Sequence, residues 1–433
     1  MVNTIYFSRP SNDLLQFPPS DFPSTLPPPL SGSAPFTPPI DIPADIYNAA
    51  LDIKIPITIA IIYAFSALIL NAYNHKCGNK PWNISKTRTF STFVFLHNIL
   101  LAVYSGWTFL GMWGTMQRSV PIPSDGSNLV HTVDALCKIH GSRGLGESIR
   151  FDHFTSLWSP TSTQGSIPDL GTMGRIWNEG LSFYGWLFYL SKFYEVLDTF
   201  IIIAKGKQSG ILQTYHHTGA MFSMWAGIRY MSPPIWMFVF VNSAIHTIMY
   251  TYYTITGIGI KVPRVLKQGI TTLQITQFLV GSSFAAIHLF ISYEIPVQVS
   301  ITESFIEDLP KSIVEQPEQA STFLMSISRG VKNMLVASLG RLSVPPQPSE
   351  VLPKIPEEVK FRTEYQNVPC LDTTGQAFAI CLNIIYLTPL TILFVKFFIH
   401  SYLRQPTCNK IPAVEDLKIS STNSKTSPGE KSE

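Results

Sequence analysis

Residues 181–203 read LSFYGWLFYLSKFYEVLDTFIII, and what they carry decides the fold. The stretch is long enough to cross a hydrocarbon core of about 30 Å at 1.5 Å per residue. Its second half nevertheless holds Lys192, Glu195 and Asp198, followed by Thr199. Ionisable side chains are costly in hydrocarbon, so they face a bundle interior or a wet cavity and mark function. Spacings of three and seven put Lys192, Glu195 and Thr199 on one helical stripe, with Asp198 beside it. The plain reading is a structural ion pair joining two helices; the functional one is a set of groups that orients a neighbouring base.

Six more apolar runs flank this one, near 55–73, 90–113, 211–230, 234–256, 269–292 and 375–402. Of the 433 residues 45% are apolar and 14% charged, against about 25% charged in ordinary soluble domains. The expectation is an all-α, polytopic membrane protein with seven transmembrane helices. A net charge of +3 without a basic face excludes nucleic acid. Five cysteines with no C-x-x-C pair give no support to a zinc ribbon or a thioredoxin-like centre.

Short loops orient the bundle, because Lys and Arg stay on the cytosolic side. Lys76, Lys80, Lys86 and Arg88, then Lys205 and Lys207, then Lys261, Arg264 and Lys267 follow the odd-numbered spans, whereas Met231–Pro233 carries no positive charge. The N-terminus is therefore expected outside the cytosol and the C-terminus inside it. The proline-crowded stretch 1–50 reads as a disordered luminal tail, 51–292 as the catalytic bundle with a luminal loop near 114–180, and 293–374 as a luminal insertion. The seventh span is 375–403, and 404–433 is a cytosolic polar tail. Cys137 and Cys370 fall in the two long non-cytosolic loops, while Cys77 and Cys408 face the cytosol and Cys381 lies in the last span. Two cysteines alone in an oxidising compartment favour a disulfide over two buried thiols. The sequon Asn83-Ile84-Ser85 lies on the cytosolic side and is expected to go unused.

Polar groups recur at one depth. Gln213, His216 and His217 share a face at the start of the fourth span, and Asn242, His246, Met249 and Tyr253 form a stripe in the fifth, with Tyr250 and Tyr252 nearby. Thr272, Gln274 and Gln277 follow in the sixth, where amides at i and i+3 serve interhelical bonds as readily as substrate contact. Spans three and five run toward the cytosol and hold these groups late; spans four and six hold them early. One buried site opening to the cytosol follows, with His97 and His288 set apart in different surroundings. Histidine beside carboxylates in such a bundle suits an acyl chain held in hydrocarbon with its reacting head near the surface. A di-iron oxidase would need more ligands than are present. A seven-helix receptor or transporter with a structural or proton-sensing histidine cluster is the alternative.

The residues resemble the very-long-chain fatty acid elongases, the ELO family of 3-ketoacyl-CoA synthases. K-F-Y-E-V-L-D-T is similar to that family's K-x-x-E-x-x-D-T, T-Y-H-H to its H-x-x-H-H box, N-S-A-I-H-T-I-M-Y-T-Y-Y to N-x-x-x-H-x-x-M-Y-x-Y-Y, and T-L-Q-I-T-Q-F to T-x-x-Q-x-x-Q-F. His97-Asn98 with Ser105 matches a weaker pattern in the second span. The resemblance covers about 50–292 and the last span. It implies condensation of malonyl-CoA with a long acyl-CoA to a 3-ketoacyl-CoA two carbons longer, with no metal or other cofactor, in a tunnel enclosed by six helices. His216 then matches the histidine that takes the acyl group as an acyl-imidazole, and His246 its partner across the tunnel. His217, Asn242, Asp198 and Glu195 would hold tautomer and orientation. Lys192, Thr199, Tyr250, Tyr253, Gln274 and Gln277 would contact substrate. Gln213 departs from the family's first box histidine, as in lower-eukaryote elongases of the polyunsaturated type. An amide takes up no proton in this range, so this position is not the base. The resemblance also implies residence in the endoplasmic reticulum membrane, contact with lipid, and the elongation-cycle reductases and dehydratase as partners. Whether the chain forms a homodimer is left open.

Overall fold

The computed structural model describes residues 5–29, 36–120, 129–140, 149–152, 157–160, 175–300 and 361–403. In it the apolar runs are helices. α1 is Ala44–Ala50, α2 Lys54–Lys76, α3 Arg88–Ser119 and α4 Leu129–Cys137. A π-turn over Trp177–Leu181 leads into α5, Ser182–Tyr194, and then α6, Leu197–Ala204. α7 is Ile211–Arg229, α8 Ile235–Gly257, α9 Arg264–Ile287 and α10 Thr374–Phe398. Short polar caps set the ends: the Thr87 hydroxyl accepts from the Phe90 amide, and that of Thr373 from the Gln376 amide.

Four of these helices, α2, α3, α9 and α10 with its last turn, are long and apolar enough to cross a membrane. Large apolar side chains on α2 and α3, such as Ile62, Leu68, Ile69, Leu100 and Val103, stand exposed. In water such a face would be a liability, whereas hydrocarbon covers it at no cost. The chain is thus a multi-pass membrane protein. α7 and α8, at 19 and 23 residues, have spanning length, but their His, Gln, Asn and Tyr side chains dilute the apolar character. The third expected span is divided between α5 and α6.

Helix packing closes a circuit. α3 packs on α8, α8 on α9, α9 on α10, α10 on α7, α7 on α5, and α5 back on α3, with α2 lying outside against α6 and α7. Trp177, Leu181, Phe183, Ile228, Ile235 and Leu390 are buried in its core.

Within 1–50, the described residues correct the expectation of a disordered tail. Thr25 and Pro27–Pro29 are buried, and α1 forms directly after Pro43, with Tyr47 wholly enclosed. Proline lacks an N–H but keeps its carbonyl, and donors far along the chain hold this strap. Trp177 Nε1 donates to the Leu26 carbonyl at 2.9 Å, Trp186 Nε1 to that of Tyr47 at 3.2 Å, and Trp225 Nε1 to that of Leu51 at 2.7 Å. The Thr25 hydroxyl donates to the Arg229 carbonyl at 2.7 Å.

At one end of the bundle β1, Ile5–Phe7, pairs antiparallel with β4, Ile291–Ser300, which pairs with β5, Phe361–Pro369, from Ser292 opposite Pro369 to Ser300 opposite Phe361. A separate hairpin joins β2, Ile149–Asp152, to β3, Leu157–Pro160. Cys137 and Cys370 are joined by a disulfide across 233 residues, Cα–Cα 4.8 Å. Beside it Arg175 pairs with Asp134 at 2.9 Å, the Tyr293 hydroxyl donates to Asp134 at 2.8 Å, and Lys138 reaches Asp372 at 2.7 Å. Burial and the Asp134 carboxylate push the Tyr293 phenol well above its ordinary range. Most of the expected 293–374 insertion, the 404–433 tail and Cys408 lie outside the described residues.

Candidate active site

The helix carrying the decisive stretch tightens where its charged groups lie. The Glu195 amide bonds four residues back, to Ser191, but the Asp198 amide bonds the Glu195 carbonyl and the Thr199 amide that of Val196, both three back. In such a turn residues i and i+3 eclipse. Asp198 therefore stays on the face of Glu195 and Thr199 rotates off it. The Thr199 hydroxyl meets that of Tyr63 on α2 at 2.8 Å, in full burial. This corrects the expected stripe: Thr199 binds α2 to α6 instead of facing substrate.

Glu195 Oε1 accepts from Lys192 Nζ at 2.8 Å and from the Ser191 hydroxyl at 3.1 Å. Lys192 also donates to Asn242 Oδ1 at 3.3 Å and lies 3.9 Å from the centroid of the Phe188 ring. A buried lysine so enclosed holds the carboxylate and α8 together. It does not line the cavity, and neither do Asn242 and Gln277.

That cavity, about 660 Å³, opens between the helices of the circuit. Glu195, Asp198, Gln213, His216, His217, His246, Tyr250, Tyr253 and Gln274, all expected at the site, line it. Gln213 Nε2 lies 2.8 Å from His217 Nε2, where an amide N–H donates to an unprotonated ring nitrogen. His246 Nδ1 lies 3.9 Å from Glu195 Oε1 and has no hydrogen-bond partner although it is buried. Gln274 Nε2 donates weakly to Met249 Sδ at 3.4 Å. Among the described residues no group of three or more His, Cys, Asp or Glu side chains is arranged to hold a metal ion.

Two participants were not anticipated. His97, set apart in the sequence, joins the cluster: its Nε2 lies 2.9 Å from Asp198 Oδ1, its Nδ1 3.2 Å from the Tyr194 hydroxyl, and Tyr250 donates to Asp198 Oδ2 at 2.6 Å. The signal was present in His97-Asn98 on the second span. Tyr386, on α10, places its hydroxyl 2.9 Å from His216 Nδ1, and nothing in its apolar run marked it. Lys205, Lys207 and Lys267, from the loops read as cytosolic and the start of α9, line the mouth. Burial, and then the Lys207 charge, hold Lys205 below the ordinary lysine range.

The chain is similar to "Fatty acid elongase 2" of Trypanosoma brucei brucei, 32% identical over 135 residues, which are 30% of this chain and 50% of that protein. It is 37% identical over 105 residues to "Very long chain fatty acid elongase 3" of Homo sapiens, covering 24% of this chain and 39% of the human protein. It is also 37% identical over 111 residues to "Fatty acid elongase A" of Dictyostelium discoideum, covering 25% and 40%. The chain thus spans half or less of the length of the relatives it matches. The model of the family described as "ELO: GNS1/SUR4 family" matches residues 48–410, running on through the stretch expected to fall outside the resemblance. The chain, matched over most of its length, belongs to the ELO: GNS1/SUR4 family.

Proposed function

We propose that the protein is a fatty acid elongase that condenses malonyl-CoA with a long-chain acyl-CoA, giving a 3-ketoacyl-CoA two carbons longer. The observation that carries this reading is the meeting of His216 and His246, from different helices, on one cavity. That cavity has an apolar wall of Phe394, Phe397 and Ile270, and a lysine-lined mouth. In the reaction a ring nitrogen of His216 attacks the thioester carbonyl. The N–C bond forms, the C–S bond breaks and CoA leaves as thiolate. Malonyl-CoA then loses carbon dioxide, and the electron pair left on its carbon attacks the acyl carbonyl. The C–C bond forms and the imidazole is released. No electrons enter or leave, so the reaction as written uses no redox cofactor.

In this scheme His246, unpartnered at Nδ1 with Glu195 3.9 Å away, takes its partner from the malonyl group. Catalytic hydrogen bonds of this kind tighten on binding. Glu195 is held by Lys192, which acts through it. Asn242 steadies Lys192, Gln213 fixes the tautomer of His217, and Asp198 orients Tyr250. Tyr253 and Gln274 line the path of the substrate. Lys205, Lys207 and Lys267 serve the CoA phosphates, whereas Lys192, expected to contact substrate, does not line the cavity. Seven spans, six of them around an acyl tunnel, agree with the packing circuit. Residence in the endoplasmic reticulum membrane, with the N-terminus luminal and the C-terminus cytosolic, agrees with the disulfide at one end and the lysine loops at the other. Reductases and a dehydratase would process the 3-keto product. The test is incubation of purified protein with malonyl-CoA and a panel of saturated and polyunsaturated acyl-CoAs, with mass analysis of products. A 3-ketoacyl-CoA extended by two carbons supports the reading; a folded protein that makes none refutes it.

A further inference from the structure

Tyr386 makes two contacts with one residue. Its hydroxyl lies 2.9 Å from His216 Nδ1 and 3.0 Å from the His216 carbonyl oxygen. A carbonyl only accepts, and a phenol has one proton. With that proton on the carbonyl bond, the phenol oxygen presents a lone pair to the ring, and Nδ1 must carry a hydrogen. The opposite arrangement would leave two oxygens 3.0 Å apart with no proton between them. Three features hold Tyr386 in place. Its ring lies against Gly219, where a Cβ would collide with the ring carbons. The Tyr215 hydroxyl donates to the Tyr386 carbonyl at 3.1 Å. The Tyr215 and Tyr386 rings pack with centroids 5.8 Å apart.

We propose that Tyr386 is a positioning residue that holds His216 in its Nδ1–H tautomer, leaving Nε2 bare as the atom that accepts the acyl group. The proposal rests on the condensing reaction above. In that reaction the N–C bond forms at Nε2 as the C–S bond breaks, and the proton stays on Nδ1 against Tyr386. The acyl group is then carried on a cationic imidazolium, and the electron pair returns to Nε2 when the acyl carbon bonds to its carbon partner. The last span thereby sets the chemistry of the fourth.

The test has two arms on the full-length protein in lipid nanodiscs. The first is nitrogen NMR of ¹⁵N-histidine protein, with His216→Ala identifying the His216 signals. A protonated Nδ1 and a bare Nε2 in the wild type, lost in Tyr386→Phe, are expected; a protonated Nε2 in the wild type overturns the proposal. The second arm is CoA release on mixing with acyl-CoA alone, without malonyl-CoA. Tyr386→Phe is expected to slow it roughly 10–100-fold, as when an orienting partner of a ligand histidine is removed, with KM for acyl-CoA unchanged and the protein still folded. Gly219→Ala, which pushes the intact phenol away, is expected to do the same. An unchanged rate in both variants overturns the positioning role. No CoA release by the wild type removes Nε2 as acyl acceptor, and with it the acyl-imidazole step, whatever the NMR arm reports on the tautomer.

Discussion

Nε2 of His97 on α3 lies 2.9 Å from Oδ1 of Asp198 on α6, and the imidazole side chain is closed to solvent. The pair ties the second apolar run to the third at the wall of the cavity, and Tyr250 completes the carboxylate's set of partners. His97→Ala should leave one carboxylate oxygen without its partner, at a cost of about 1–3 kcal/mol. It should also lower kcat by misplacing Tyr250. His97→Gln, which keeps a donor, should recover part of both. Tm and steady-state rates check this; equal activity in His97→Ala would show that the pair is structural alone.

Lys192 and Glu195 are buried partners 2.8 Å apart, with side chains 5% and 4% exposed. Removing one partner strands a charge, which costs roughly 3–5 kcal/mol, whereas replacing both with apolar groups costs far less. Glu195→Ala should therefore lower Tm more than the double variant Lys192→Met, Glu195→Met. Both should be inactive, because His246 loses its neighbour. Melting curves of the single and double variants decide it.

A stripe of Lys192, Glu195 and Thr199 needs 3.6 residues per turn throughout, and the helix keeps that period only as far as Glu195. Two bonds that close three residues back bring Asp198 to the cavity and turn Thr199 away. No local propensity marks such a tightening, so it was not legible. The histidines and amides of α7 and α8 were legible, because polar groups recurring at fixed spacing inside long apolar runs have few other reasons to exist. His97 and Tyr386 needed the packing circuit, which places their helices beside partners about 100 and 170 residues away. The proline-rich strap was misread for a related reason: its own residues supply mainly acceptors, and the tryptophan donors that satisfy them lie more than 130 residues on.

Cys137→Ser, Cys370→Ser and the double variant should lower stability equally, by roughly 2–5 kcal/mol, because each opens the same bridge. Reductant should bring the wild type down to the same level. Thermal melts with and without reductant check this, and unequal single variants would contradict it.

His140 lies at the disulfide end, 3.4 Å from Gln376 Nε2 through its own Nε2. Burial, helped by Lys138 and Arg175 and opposed by Asp372, pushes its pKa down to about 4. The unfolded chain takes up that proton near the ordinary value of about 6.5. Stability from this group is therefore complete above about 6.5 and is lost as pH falls from there toward 4. His140→Gln should flatten that segment of the stability–pH curve. A curve of the same slope in the variant would assign the acid sensitivity to another group.

In the proposed reaction His216 carries the acyl group between the two substrates. The direct measurement is product formation by purified His216→Ala, shown folded by its melting curve, given radiolabelled malonyl-CoA and the acyl-CoA that the wild type accepts. No labelled 3-ketoacyl-CoA is expected from the variant, against steady formation by the wild type. Labelled product from the variant at the wild-type rate would contradict it.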